Sequence, residues 1–383
     1  MAKVKCGIDV LKGNIGMFHN LKLGLITNYT GVDRNLNSTI DILNENSELI
    51  SLFSPEHGVR GEFQAGAHVP DYIDEKTGVK VYSLYGESRK PTRDMLKDID
   101  ALVFDIQDVG ARYYTYLYTM AYGMEAAAEF GKQFIVLDRP NPIGGTKIEG
   151  NILNTGFSSF VGMYPIPIRY GLTIGELARL FNSEFNIDCD LKIVELEGWS
   201  RDMYFEDTHL DFIAPSPNIP TIDTALLYIG TCLFEGTNVS EGRGTTKPFE
   251  LIGAPWIDGD RLAHGLNSIG MEGVVFRSHY FTPTFSKYEG ELCGGIQIHV
   301  RDRATIEPFN IGIAIIHNLV KSYEEFKFLE PSSDGRHLFF DLLSGTNKLR
   351  EAILNDTVDE YLYVCKEQLR GFEQIRQKYI IYR

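Results

Sequence analysis

The chain has 383 residues, enough for one large or two ordinary domains. Acidic residues outnumber basic ones, 52 to 37, and the formal net charge of −15 argues against sequence-independent nucleic-acid binding and against docking on anionic membranes, both of which need a basic surface. A hydrophobic share of 43% with 23% charged residues marks a folded globular chain rather than a disordered one.

In chain order, residues 21–27 read as a strand, 38–46 as a helix capped by Ser38, 49–53 and 79–84 as strands, and 92–97 as a short helix entered through Pro91. Residues 101–106 form a strand apolar in all but Asp105, 113–130 a long helix closed by Gly131, and 134–137 a further strand. Strands without polar alternation, separated by helices, predict a parallel sheet covered on both faces. Beyond Gly150 the spacing predicts a helix over 173–185, where Thr173 and Glu176 form a capping box, a strand over 191–196 and a helix over 223–234. A polar, Gly-rich loop occupies 235–246, and strands at 273–281 and 295–300 and a last helix at about 358–379 follow. The domain boundary is placed at residue 245, giving domains 1–245 and 246–383.

Open parallel sheets bind ligands beyond the carboxyl ends of their strands. Those ends are unusually polar here. The second strand runs into Ser54-Pro55-Glu56-His57-Gly58, where Pro55 stops the ladder and fixes Glu56 and His57 at the strand end. The strand ending at Ile106 opens into Gln107, Asp108 and Arg112, preceded by Asp105 and followed by Tyr113. The strand ending at Leu137 opens into Asp138-Arg139-Pro140-Asn141-Pro142. Asp108 and Arg112 also read as a plain salt bridge at a helix start. The glycines of the loop carrying Glu235, Asn238, Glu241 and Arg243 suggest backbone close to a ligand.

Other chemistries lack their patterns. No two of the nine histidines lie three or four residues apart, so no metal is expected. Neither a Walker motif nor a G-x-G-x-x-G after the first strand is present, so no cofactor is expected, and no G-x-S-x-G elbow marks a serine hydrolase. Five scattered cysteines without a C-x-x-C pair fit reduced thiols. No leader-like segment and no bilayer-length apolar run is seen, so a cytoplasmic protein is expected as written, or an exported one given without its leader.

The strings Gly24–Asn28, Leu52–Gly58, Val103–Gly110, Leu137–Gly145, Pro215–Asn218 and Glu235–Thr246 resemble, in order, those of the exo-β-N-acetylmuramidase family, long described as a bacterial domain of unknown function. The resemblance implies a Rossmann-like parallel-sheet domain with a smaller mixed α/β domain after it that closes the active-site cleft. It implies removal of N-acetylmuramic acid from the non-reducing end of β-1,4-linked peptidoglycan fragments, with Glu56 as the catalytic glutamate. Two carboxyl groups usually flank a scissile glycosidic bond. Glu56 is the expected acid and Glu241 the expected second carboxylate, with Glu235 and Asp105 behind it. The substrate's own acetamido oxygen is an alternative nucleophile. The lactyl carboxylate of muramic acid calls for an arginine, and Arg112, Arg139 and Arg243 are the candidates. Asn141, Asn218 and Asn238 are expected to read hydroxyls or the acetamido group. The partner is a small saccharide, neither nucleic acid nor membrane, and the oligomeric state is not read from the sequence. Two rival readings are a non-catalytic muropeptide-binding protein and a nucleotide or phosphosugar enzyme on the same kind of sheet.

Overall fold

The computed structural model describes residues 3–56, 58–61, 70–86, 88–331 and 335–383. The first half is built on a seven-stranded sheet of β1 (Lys22–Thr27), β2 (Glu48–Ser54), β3 (Tyr72–Ile73), β4 (Lys80–Ser83), β5 (Ala101–Asp105), β6 (Gln133–Leu137) and β7 (Asp190–Val194). The spatial order is β3-β4-β2-β1-β5-β6-β7, and every pairing is parallel except β3 with β4. Numbered along the chain, the parallel strands run 3-2-1-4-5-6, the order of a doubly wound sheet. The order reverses between β1 and β5, which is where such folds open a crevice.

Helices cover both faces. On one side lie α1 (Gly7–Lys12) and α2 (Thr39–Asn46), whose Ile8, Leu11, Ile40 and Leu43 pack on Leu25, Leu52 and Val103. On the other lie α3 (Arg93–Leu96), α4 (Tyr116–Phe130) and α5 (Ile174–Glu184), with Leu117, Met120, Leu177 and Phe181 packed on Phe53, Phe104 and Phe134. Burial on both faces is why β5 shows no alternation: Leu102, Val103 and Phe104 are fully buried, each side chain contributing about 1.5–3 kcal/mol. The capping expectations hold in detail. Thr173 Oγ1 accepts the Glu176 N–H at 3.1 Å while the Glu176 carboxylate accepts the Thr173 N–H at 3.0 Å. Gly131 closes α4 in the left-handed conformation, φ 63°.

The second half carries α6 (Ile222–Thr231), a 3-10 turn at Cys232–Gly236, and a three-stranded antiparallel sheet of β8 (Leu251–Ala254), β9 (Val274–Phe281) and β10 (Cys293–Val300), ordered β8-β10-β9. Helices α7 (Gly259–Ser268), α8 (Pro308–Ser322), α9 (Phe339–Ser344), α10 (Lys348–Leu354) and α11 (Val358–Arg376) complete it. One apolar cluster joins the halves, running from Phe104 and Leu117 through Leu226 and Ile229 to Ile296 and Ile315. The expected mixed α/β architecture with a smaller second sheet is therefore present. The sequence reading missed β8, only four residues long, and carried helices at 113–130 and 223–234 past their observed ends. Among the described residues, no helix is long and apolar enough to cross a membrane.

Candidate active site

A cavity of about 450 Å³ lies beyond the carboxyl end of β2, between the large sheet and the second half. Its charged lining residues are Glu56, Arg89, Glu235 and Arg243, and its aromatic lining includes Tyr85, Tyr113, Tyr116, Tyr228 and Phe160. Glu56 stands where Pro55 ends the strand, as the sequence predicts. His57 lies outside the described residues. Tyr29, beyond β1, and Tyr85, beyond β4, flank the glutamate. Burial, with the charge of Glu56 as the next cause, pushes both phenols up to about 12, and for Tyr85 a hydrogen bond to Glu56 adds to the rise. Both phenols therefore stay protonated at neutral pH.

Glu235 enters the cavity from the 3-10 turn that ends α6. Its carboxylate accepts from Arg243 Nη2 at 2.9 Å, and Arg243 Nε approaches Glu241 at 3.3 Å. Glu241 also accepts from Lys287 Nζ at 2.9 Å. The result is a chain of alternating charge, Glu235–Arg243–Glu241–Lys287, with only its first two members facing the cavity. Burial raises the Glu235 pKa; Arg243 opposes the rise and Glu241 adds to it. Glu241, 2% exposed, sits behind Arg243 and does not line the cavity. Of the candidates for a second carboxylate, Glu235 faces the cavity and Glu241 does not, because loop residues six apart need not face the same way.

The glycines of this loop approach protein rather than ligand. Gly242 (φ 79°) and Gly244 (φ 78°) are left-handed. A Cβ at Gly242 would meet the Leu251 carbonyl at 2.8 Å, and one at Gly244 the Phe285 carbonyl at 2.5 Å. Asn238 holds the loop rather than a sugar, donating to the Glu325 carbonyl at 2.7 Å and accepting the Lys327 N–H at 2.8 Å.

Several other predicted site residues turn out to be structural. Arg112 is fully buried and donates to the carbonyls of Asn151, Ile166, Leu343 and Ser344 at 2.6–3.1 Å. It neither pairs with Asp108 nor reaches the cavity; it ties α9 to the first half. Arg139 forms a buried two-point pair with Asp105, at 2.5 and 2.9 Å, and donates to the Val32 carbonyl. Gln107 donates to the carbonyls of Asp108 and Pro140, and with Arg139 it opens onto a separate small cleft. Asn141 bridges the Leu172 carbonyl and the Ile143 N–H. Asn218 is buried in the 215–220 loop, whose Ser216 is the lining residue. Tyr113 does line the cavity, with its hydroxyl tied to the carbonyls of Tyr228 and Ile229. Replacing Arg112 by Met is expected to destabilise the fold by about 3–5 kcal/mol, read by urea unfolding, because four buried carbonyls each lose a charged donor, although Ser344 keeps the Asn151 amide and Ile166 the Leu153 N–H.

Asp108 accepts instead from the Gly110 N–H at 2.7 Å and from the Tyr170 hydroxyl. Burial lifts its pKa from 3.8 to about 7. The folded state therefore holds this proton more tightly than the unfolded chain. The group's contribution is fully present below pH 3.8 and is lost as pH rises through about 7. The Asp108→Asn variant cannot titrate. Its Tm relative to the native protein is expected to rise between pH 5 and pH 8, and parallel scans would expose a constant offset.

Sequence reasoning missed Tyr85, Arg89 and Phe160. They come from irregular segments after β4 and before α5, where no periodicity or strand end marks them.

The arrangement is that of a glycosidase-like cleft: a carboxyl group at the edge of a doubly wound sheet, a second one in the lining of the same cavity, and tyrosines around them. Among the described residues no cluster of His, Cys, Asp and Glu could hold a metal ion. The chain belongs to the exo-β-N-acetylmuramidase NamZ family: the family's N-terminal part matches residues 23–223 and its C-terminal part residues 226–382. It is 53% identical to the peptidoglycan β-N-acetylmuramidase NamZ of Bacillus subtilis strain 168, over 99% of this chain and 92% of that protein. Two crystal structures of DUF1343 family proteins from Bacteroides fragilis share the fold. One has a TM-score of 0.91 at 41% identity, with both chains covered in full. The other has a TM-score of 0.82 at 32% identity, covering all of this chain and 99% of that one.

Proposed function

We propose that the protein is an exo-acting glycosidase that releases N-acetylmuramic acid from the non-reducing end of β-1,4-linked peptidoglycan fragments. The observation that carries this reading is the Glu56–Glu235 cavity, in a chain 53% identical to a named peptidoglycan β-N-acetylmuramidase. The identity supplies the substrate class, because a sheet of this kind hosts many chemistries.

In this reading Glu56 donates its proton to the glycosidic oxygen as the C1–O bond breaks. The leaving sugar then departs as a neutral alcohol rather than an alkoxide. Positive charge develops at C1 and the ring oxygen, and the Glu235 carboxylate opposes it across the cavity. Water supplies the new C1 hydroxyl and returns a proton to Glu56, so one glycosidic bond and one water yield two sugars. Arg243 holds the Glu235 carboxylate in place, and Tyr85 orients Glu56. The tyrosines and Phe160 offer flat faces to the sugar ring.

The partner would be a short muramyl–glucosaminyl fragment. The formal charge of −15 repels a long anionic polymer, an effect that salt screens within about 10 Å at 0.1 M. The test is incubation with a chromogenic β-N-acetylmuraminide beside its β-N-acetylglucosaminide analogue. Release from the muraminide alone is expected. Equal release from both, or from the glucosaminide alone, overturns the specificity, and release from neither overturns the activity.

A further inference from the structure

We propose that Arg89, which lies over the Phe160 ring in the lining of the cavity, receives the lactyl carboxylate of the muramyl residue and so makes the site prefer muramyl over glucosaminyl ends. The inference rests on the muramidase reading above and names the group that sets its specificity.

A muramyl sugar differs from a glucosaminyl sugar by a carboxylate-bearing ether at O3, two ring carbons along from C1. The cavity already holds two carboxylates, Glu56 and Glu235, so a third needs a local cation. Two arginines line the cavity. Arg243 is already committed: its Nη2 donates to Glu235, its Nε faces Glu241, and its guanidinium lies 5.1 Å from the centre of the Phe249 ring. Arg89 forms no ion pair among the described residues. Its guanidinium lies 4.0 Å from the centre of the Phe160 ring. A ring face attracts the cation without accepting as a carboxylate oxygen does, so the guanidinium keeps donors with which to grip a carboxylate by two parallel hydrogen bonds. Arg89 is also close enough to Tyr85 for its charge to act on that phenol, which itself bonds Glu56. Cation, tyrosine and proton donor thus lie along one wall. A sugar with C1 at Glu56 would carry its O3 substituent toward Arg89.

The three arginines that the sequence suggested for this task are spent elsewhere: Arg112 on carbonyls, Arg139 on Asp105, and Arg243 on two glutamates.

The test compares Arg89→Gln and Arg89→Lys with the native protein on a chromogenic β-N-acetylmuraminide and on the same glycoside with its lactyl group as the amide. Arg89→Gln is expected to raise KM for the carboxylate substrate about 10- to 100-fold, as loss of a charge-assisted contact does, with a much smaller change in kcat. The penalty on the amide should be several-fold smaller, and Arg89→Lys should fall between. Equal penalties on both substrates, or none on either, overturn the assignment. If the native protein hydrolyses neither glycoside, the muramidase reading fails by itself. Arg89 is then judged by thermal shift with free N-acetylmuramic acid against N-acetylglucosamine. Stabilisation by the first that Arg89→Gln abolishes supports the site, and stabilisation that survives in the variant, or none at all, overturns it.

Discussion

Replacing Glu56 by Gln is expected to lower kcat for a natural muramyl–glucosaminyl fragment by about 10²–10⁴-fold, the usual contribution of a positioned general acid, while Tm stays near the native value. The amide keeps the size of the carboxyl group and an oxygen that accepts from Tyr85, so the wall of the cavity is conserved. The amide has no acidic proton to give up. The leaving group makes the assignment specific. A 4-nitrophenolate departs without protonation, so the variant should lose far less on a 4-nitrophenyl muraminide than on a fragment whose leaving group is a sugar hydroxyl. A loss of equal size on both would give Glu56 a different task, such as holding the substrate. Tyr85 makes a further contribution here. Its phenol, pushed up to about 12 by burial and then by Glu56, remains a donor through the working pH range.

Glu56 and the doubly wound sheet were legible for one physical reason. Short continuous apolar runs such as Leu102-Val103-Phe104, bounded by polar turns, fit strands buried on both faces, and a proline at the end of such a strand pins the next side chains to the sheet's edge. The remaining polar loops resembled one another in sequence but not in space. A buried arginine satisfying carbonyls, as Arg112 does, and a cavity arginine such as Arg243 have the same one-letter context of glycines and carboxylates. Which carbonyls lie opposite is decided by segments far along the chain, here residues 151–166 and 343–344. The glycines of the 235–246 loop misled for the same reason. They suggest backbone close to a ligand, whereas the backbone that Gly242 and Gly244 approach belongs to Leu251 and Phe285. Arg89 was invisible because its significance depends on Phe160, some seventy residues on, and on the neutralisation of its rival by Glu235 and Glu241.

The second large effect is expected from a pair of variants at the charge chain. Glu235→Gln should cut kcat by about 10²-fold or more, since the carboxylate opposing the developing positive charge is gone and Arg243 now faces that charge with only Glu241 behind it. Glu241→Gln should act differently. Glu241 does not line the cavity, but it pairs with both Arg243 and Lys287, and Lys287 also donates to the carbonyls of Phe234 and Val239. Its loss leaves two cations sharing less negative charge in a buried place, so Tm should fall together with activity. The pH dependence separates the two. Burial, with help from Glu241, raises the Glu235 pKa against the pull of Arg243. If Glu235 works ionised, kcat/KM falls as pH drops through that raised value, above the ordinary glutamate range. The acid limb should disappear in Glu235→Gln. In Glu241→Gln one neighbouring negative charge has gone, so the limb should persist and move to lower pH. An acid limb unchanged in Glu235→Gln would assign it to another group and return Glu241 to consideration as the second carboxylate.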